Sequence, residues 1–555
     1  MAVPTLLLGP LLRHVGETDA TVWVETDRPC TVEVLGQTET TFTVAGHHYA
    51  LLILEGLEPA SAIAYDVRLD GAAAWPAEGE PGGLIRTLGD GGGDGAFTLA
   101  FGSCRVSLPH EEPYTLTKDD DDAGREVDAL AALGRRMGGQ PPDRWPDALL
   151  LVGDQVYADE VSPAIAKRIA ARRDPTVGAG EEVADFEEYT WLYCEAWGDP
   201  ALRWMLSVLP TSMIFDDHDV HDDWNTSGTW ERQMRATDWW EDRIIGAYVS
   251  YWIYQHLGNL APADLREHDL FQRVRAMGDE DAWPELRRYA CEARDEVAGT
   301  RWSFVRDFGA ARMVVLDSRA GRIIADDTQR QMLSDEQWAW AAEHLTGDVD
   351  HLLVATTLPL FLAPGLHALE GWNEAVCAGA WGRGAAWVGE KIRQALDLEH
   401  WAAFRSSFDH LVDELRAVGA GERGAPPASI VLLSGDVHHA YLAEVGYPRA
   451  AGVESAVVQA VCSPVRNPLD HRERRMLRSA LSTPASIAAG TLARLAGVRE
   501  PAVRWRFPEA PTFDNQIASL SLRGRAARLT IEKTSVEDRD APRLHCSLDR
   551  VITGG

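Results

Sequence analysis

Residues 147–159 read DALLLVGDQVYAD, a short and nearly unbroken apolar run that ends in Gly153, Asp154, Tyr157 and Asp159. A run of strand length without polar alternation suits a strand buried on both faces, and such strands belong to layered α/β domains covered by helices. The same grammar recurs along the chain. Residues 96–104 (AFTLAFGSC), 210–219 (PTSMIFDDHD), 311–319 (ARMVVLDSR), 351–360 (HLLVATTLPL), 429–438 (SIVLLSGDVH) and 456–464 (AVVQAVCSP) are apolar, strand-length and mostly closed by reactive side chains. Helical patterning fills 125–137, 185–204, 334–345 and 398–418. Ligands of open α/β sheets sit beyond the carboxyl ends of the strands, which is where these polar residues fall.

Residues 1–95 follow a different rule. Apolar and polar positions alternate through 21–25, 30–35, 40–44 and 64–69, with Gly, Pro and Asp at close intervals. That is the pattern of a small all-β sandwich of immunoglobulin or fibronectin type. Residues 89–95, GDGGGDG, read as a flexible linker. The expected division is therefore an N-terminal β-sandwich domain, 1–95, and a catalytic α/β domain, 96–555. Residues 471–497 form a basic, partly amphipathic stretch expected as a surface helix or helical pair, and strands are expected over 515–532 and 543–552.

The chain of 555 residues carries a formal net charge of −32, which argues against binding DNA, RNA or an anionic membrane face through the field of the whole molecule. Seven dispersed cysteines without a CxxC pair give no disulfide framework. The N-terminal apolar patch lacks a preceding basic region or twin arginine, and no apolar run reaches ~18 residues, so neither a secretory signal nor a membrane span is expected. The economical location is cytoplasmic. Oligomeric state is not legible.

Four strand ends carry the chemistry: Gly102-Ser103-Cys104, Gly153-Asp154-Gln155-Val156-Tyr157, Asp216-Asp217-His218-Asp219 and Ser434-Gly435-Asp436-Val437-His438. One Asp after a buried strand usually caps the next helix; four such ends in one domain are harder to explain that way. Clustered carboxylates repel each other and rise in pKa unless a cation holds them ionised. Asp154 has two oxygens and can bridge two ions, and Tyr157 follows in a turn that returns its phenol to the same place. Thiolate, phenolate and carboxylate suit iron(III); an all-oxygen neighbour suits calcium, magnesium or manganese. His218, beside Asp217, is placed to protonate a leaving group. Arg105 has two readings, a fork for a phosphoryl oxygen or an ordinary salt bridge, and Arg319 has the same two with the structural one ahead.

Gly-Asp-x-x-Tyr, Asp-Asp-His-Asp and Gly-Asp-x-His, in this order, resemble the metallophosphatase core of the alkaline phosphatase D family. The run from Asp216 to Trp224 is similar to that family's signature, which usually has Glu at the fourth position and Asn-Asn before Trp, where this chain has Asp219 and Asp222-Asp223. The opening Phe-Gly-Ser-Cys, the strand end Leu316-Asp317-Ser318-Arg319 and the preceding sandwich fit as well, and residues 153–159 are also similar to the iron-binding turn of purple acid phosphatases. The resemblance implies a metallophosphoesterase-type β-sandwich core flanked by helices. It implies Asp154 as bridging ligand, Cys104 and Tyr157 on an iron-like ion, Asp436 and His438 completing the cluster, Asp217 on the neighbouring ion and His218 as catalytic histidine. Iron(III) and calcium are the leading ions, with manganese, magnesium and zinc as alternatives. Relatives also carry a histidine on the strand corresponding to 351–360, where this chain has none at the strand end. The implied activity is hydrolysis of a small phosphoester by metal-activated hydroxide. A phosphodiesterase or phospholipase acting on nucleotides or lipid headgroups is the first alternative, and a non-enzymatic calcium-binding interaction protein the second.

Overall fold

The computed structural model describes residues 3–89, 96–295, 302–325 and 328–554. The expected linker lies almost wholly outside them. Every apolar run singled out in the sequence is a strand, and the strands form a mixed α/β fold with an all-β N-terminal part.

Two large sheets make the body. One has six strands in the order Thr211–Ile214, Ala148–Val152, Phe97–Gly102, Gln516–Arg523, Ala526–Lys533, His545–Thr553; its first three are parallel and the rest antiparallel. The other has seven, with Ala311–Val315, His351–Ala355, Ser429–Ser434 and Ala456–Val461 parallel at its centre and antiparallel strands at both edges. The pleat sorts their side chains. Val431 and Leu433 join one apolar cluster with Leu99, Phe101, Leu149 and Leu520 of the six-stranded sheet, while Ile430 and Leu432 point to a second cluster with Leu411 and Leu415 of the helix Arg405–Gly419. A strand that feeds both faces needs apolar residues at every position, which is why 429–433 shows no alternation.

The N-terminal sheets enclose their own cluster of Val22, Val24, Val32, Leu52 and Leu69, but the strand Asp19–Thr26 is buried on its other face too. Trp23 belongs to the main cluster, and Tyr254 Oη donates to Glu25 Oε2 at 2.9 Å. Arg13, fully buried, donates to the backbone oxygens of Thr211, Tyr254 and Gln255 at 2.6–2.9 Å. The alternation read over 21–25 therefore does not mark a water-facing side, whereas that over 64–69 does, with Asp66 and Arg68 exposed and Tyr65, Val67 and Leu69 buried.

Two helical expectations are corrected. The stretch 185–204 is two helices, Phe186–Trp197 and Pro200–Val208. Asp199 caps the second, accepting from the backbone N–H of Ala201 and Leu202, and Pro200 sits at its first turn, so the chain cannot run through. In the stretch 398–418 the α-helix begins only at Arg405, after a single 3-10 turn at Trp401–Ala403; the residues before that turn carry Glu399 and His400 into the polar site.

Candidate metal centre

The strand ends meet where the sequence places them. Cys104, Asp154, Asp436 and His438 all adopt left-handed backbone, with φ of 58°, 51°, 67° and 51°. Non-glycine residues rarely do this, at roughly 1–3 kcal/mol each, and such strain gathers at functional sites. Close packing holds the turns. The backbone N–H of Asp436 donates to Ser103 Oγ at 3.0 Å, and a Cβ on Gly435 would fall 2.0 Å from that oxygen. Ser463 links two of the turns: its hydroxyl donates to Cys104 Sγ at 3.1 Å and accepts from the N–H of His438 at 3.2 Å. At Gly153 a Cβ would come 2.7 Å from Asp216 Oδ2, so only glycine lets the strand ends 153 and 216 approach.

Asp154, Asp216 and Asp217 each offer a carboxylate oxygen within 4.8 Å of the others, and all three are buried. Asp154 Oδ1, Asp216 Oδ2 and Asp217 Oδ1 have no hydrogen-bond partner. Burial first, then mutual repulsion, pushes the Asp154 carboxyl well above its ordinary range. Asp216 rises for the same reasons against the pull of Arg319. Three bare oxygens of this kind fit a cation. Cys104, Asp436 and His438 stand around this set rather than inside it. Burial and the charges of Asp154 and Asp436 push the Cys104 thiol up, and burial and then Asp154 and Cys104 do the same to the Tyr157 phenol. Burial and then the charge of His218 lower His438 to about 3, leaving it neutral, the form in which imidazole binds metal.

His218 packs its ring 4.5 Å from that of Tyr157, and its Nδ1 lies 3.0 Å from both oxygens of Asp159. Burial alone would lower this imidazole. The charge and hydrogen bond of Asp159, with Asp154 and Asp217 behind them, outweigh it and hold His218 well above its ordinary value.

Sequence reasoning missed several partners. Asp159 closes the GDQVYAD motif yet was not assigned a task, and Asp216 was passed over in favour of its neighbour. Arg319, fully buried, bonds Asp216 Oδ1 through Nε at 2.7 Å and both Glu399 oxygens through Nη1 at 2.6 Å, and lies 3.4 Å from Asp217 and 3.7 Å from Asp436. It is an internal cation for the cluster. His400, held by Glu370 at 2.7 Å, reaches Asp436 Oδ2 at 3.3 Å, so an imidazole does arrive beside Asp436, although the strand His351–Ala355 brings none. No local pattern marks Glu399 or His400. Asp223, opposite Asp397, is pushed up to about 9 by burial and the charges of Asp397, Glu399 and Asp222.

Arg105 lands on the structural side of its two readings. Its Nε and Nη2 bind Asp128 at 2.9 and 2.8 Å, and its Nη1 binds Ser107 Oγ and the carbonyl of Ala196. The fork expected for a phosphoryl group is engaged by the cap of the helix Ala129–Gly138. Of the tryptophans at 230, 239, 240 and 252, Trp239 is half-buried against the core and the other three lie in it.

Comparison with known proteins bears on the family and the fold. Residues 3–86 match a domain of unknown function (DUF7800). A structure described as "Structure of PhoD" superposes with a TM-score of 0.62 at 12% identity, covering 100% of this chain and 93% of that one; at that identity the likeness is one of fold. A maltogenic amylase from S. marinus aligns at a TM-score of 0.15 and 8% identity, too low to carry an argument. No curated protein matches. Residues 136–493 match the model of the PhoD-like phosphatases, and a match over more than half its length makes this chain a member of that family.

Proposed function

We propose that the protein is a metal-dependent phosphoesterase whose centre is built on Asp154, Asp216 and Asp217, with Cys104, Tyr157, Asp436 and His438 as further ligands and with its chain divided near residue 95 into a sandwich and a metallophosphoesterase-type catalytic domain. Family membership supports phosphoester hydrolysis in general. The observation that carries the finer reading is the trio of buried carboxylate oxygens without a hydrogen bond, that of Asp217 within ion-pair reach of Arg319, gathered near the His218 imidazole. Bound cations, iron(III) and calcium before manganese, magnesium or zinc, would supply charge neutralisation at the phosphoryl oxygens and acidify water.

The chain's own residues do the rest. Asp159 accepts a hydrogen bond from Nδ1–H of His218, which fixes the ring and leaves Nε2–H as the proton for a departing alkoxide or phenoxide. The raised affinity of His218 for its proton keeps that acid charged at neutral pH. Arg319 and Glu399 hold Asp216 and Asp217 in place from behind.

Protein purified without added metal or chelator is expected to hydrolyse an aryl phosphate mono- or diester and to lose the activity on chelation; full turnover by exhaustively demetallated protein would overturn the proposal. His218→Asn is expected to slow alkyl esters by about 10²–10⁴-fold and 4-nitrophenyl esters much less, because a good leaving group needs little protonation.

A further inference from the structure

The basic stretch after residue 470 has no part in the chemistry above, and the structure leaves it open to water. It forms two helices, His471–Ala480 and Thr483–Leu495; the first buries no residue and the second only Ala493. The helix Pro364–Cys377 packs against the second of them and against the helix Arg383–Ala395. Trp381, between those last two, donates from Nε1 to the carbonyl of Leu495 at 3.3 Å.

Among the described residues, eight of the twelve exposed large apolar side chains fall within 381–396 and 476–495. Trp387, Met476, Ile487 and Leu495 are 66–70% exposed. Residues 471–499 hold six arginines against one glutamate in a chain whose net charge is −32. Of these cations, Arg472, Arg475 and Arg478 are exposed, as are Arg383 and Lys391 on the neighbouring helix. Bare Trp, Ile, Leu and Met interleaved with Arg and Lys is the composition of helices that lie in a lipid interface.

We propose that this face docks on an anionic lipid bilayer. Only charges within a Debye length of the surface count, ~10 Å at 0.1 M salt, so a local basic face can bind where the acidic body as a whole would be repelled. The basic character of the face itself argues against a two-fold pairing of copies through it. A two-fold contact is isologous and would set these arginines against themselves.

The face adjoins the metal centre at both ends. The helix Arg383–Ala395 runs directly into Asp397, Glu399 and His400. The helix His471–Ala480 begins after Asp470, its cap, and three residues before that cap Asn467 donates to Tyr157 Oη at 3.4 Å. Docking would therefore bring the site close to the headgroup layer.

The test is co-sedimentation of the full chain with vesicles of equal parts phosphatidylcholine and phosphatidylglycerol, and it reads binding without any turnover, so it stands or falls apart from the enzymatic proposal. Wild type is expected to pellet with these vesicles, to remain in solution with pure phosphatidylcholine, and to be released by high salt. Arg472→Glu with Arg475→Glu, and separately Trp387→Ser with Ile487→Ser, are expected to lower partitioning about tenfold or more at an unchanged unfolding temperature, since all four side chains are exposed. Absence of pelleting, equal pelleting of the variants, or equal pelleting on the neutral lipid overturns the proposal. So does a concentration-dependent dimer in sedimentation velocity that the same substitutions abolish.

Discussion

Asp128 and Asp154 are both at most 1% exposed, and the protein treats them in opposite ways. Asp128 accepts from the backbone N–H groups of Leu130 and Ala131 and from the fork of Arg105. Burial opposes its ionisation, but Arg105 and Arg466 overcome that and keep the carboxyl below its usual range. Asp154 has one oxygen with no partner and three carboxylates as neighbours, and burial and repulsion drive it up. Glu399 belongs with Asp128: Arg319, Arg322 and Thr226 all donate to it, and it is held low against burial. A buried acid whose counter-charge comes from the same chain is part of the scaffold. A buried acid whose counter-charge the chain supplies only in part has a use for a cation from outside.

The largest expected effect breaks the second kind. Asp154→Asn is expected to bring hydrolysis to background, and to lack the rise in unfolding temperature expected of wild type on adding calcium or manganese, a rise worth about 4 kcal/mol at a thousandfold excess over Kd. Without metal the order reverses. The variant is the more stable by about 1–3 kcal/mol at neutral pH, because wild type must either take up a proton on folding or bury an unpaired charge, and a neutral amide does neither. The sign with pH follows from the upward shift. The folded protein binds this proton more tightly than the unfolded chain, so the favourable contribution is complete below about pH 4 and is lost as pH rises through the folded value. Urea unfolding of both proteins without metal at pH 5 and pH 8 should show the gap widening with pH; a gap that is constant or narrows would place Asp154 with Asp128.

The next effect breaks the first kind. Glu399→Gln leaves Arg319 and Arg322 buried with less counter-charge, and losing one partner of such a group costs about 3–5 kcal/mol. It is expected to lower the urea midpoint with or without metal, whereas Asp154→Asn raises it without metal. A variant as stable as wild type would mean that Asp216 and Asp217 alone satisfy Arg319.

How much of this the sequence discloses depends on the range of the interaction. Strands buried on both faces announce themselves as runs such as 148–152 and 429–434, and a ligand at a strand end is legible because the turn that presents it is local. The helix break at Asp199-Pro200 was equally local and was passed over. Arg319 lies 103 residues from its partner Asp216, and Glu399 lies 80 and 173 residues from its partners Arg319 and Thr226; His400 likewise meets Glu370 and Asp436 from separate segments. Their roles exist only once the sheet brings those segments together. Arg105 shows the same limit from the other side: next to Cys104 in sequence it looked like a phosphate ligand, and only Asp128, 23 residues on, reveals what its fork holds. The alternation in residues 21–25 was read correctly as strand, but a period of two cannot tell water from a second packed layer, and Trp23 faces the latter.

The smallest effect tests whether the N-terminal sheet obeys the same rule of internal counter-charge. His47 places Nδ1 3.1 Å from Glu25 Oε1 and Nε2 2.8 Å from Glu187 Oε2, tying the strand His47–Glu55 to the helix Phe186–Trp197. Burial lowers the imidazole, but hydrogen bonds and charge from the two glutamates outweigh it and the net shift is upward. A histidine raised in the folded state stabilises fully below its unfolded value of about 6.5, and that stabilisation is lost as pH climbs through the folded value. Glu187 is 39% exposed, so water screens its half of the tie and the whole is worth about 1 kcal/mol. His47→Gln should therefore unfold at a lower temperature than wild type at pH 6 and at nearly the same temperature at pH 9. A difference that persists undiminished at pH 9 would mean that the ring contributes by packing on Phe186 and Tyr49 and that its charge is idle.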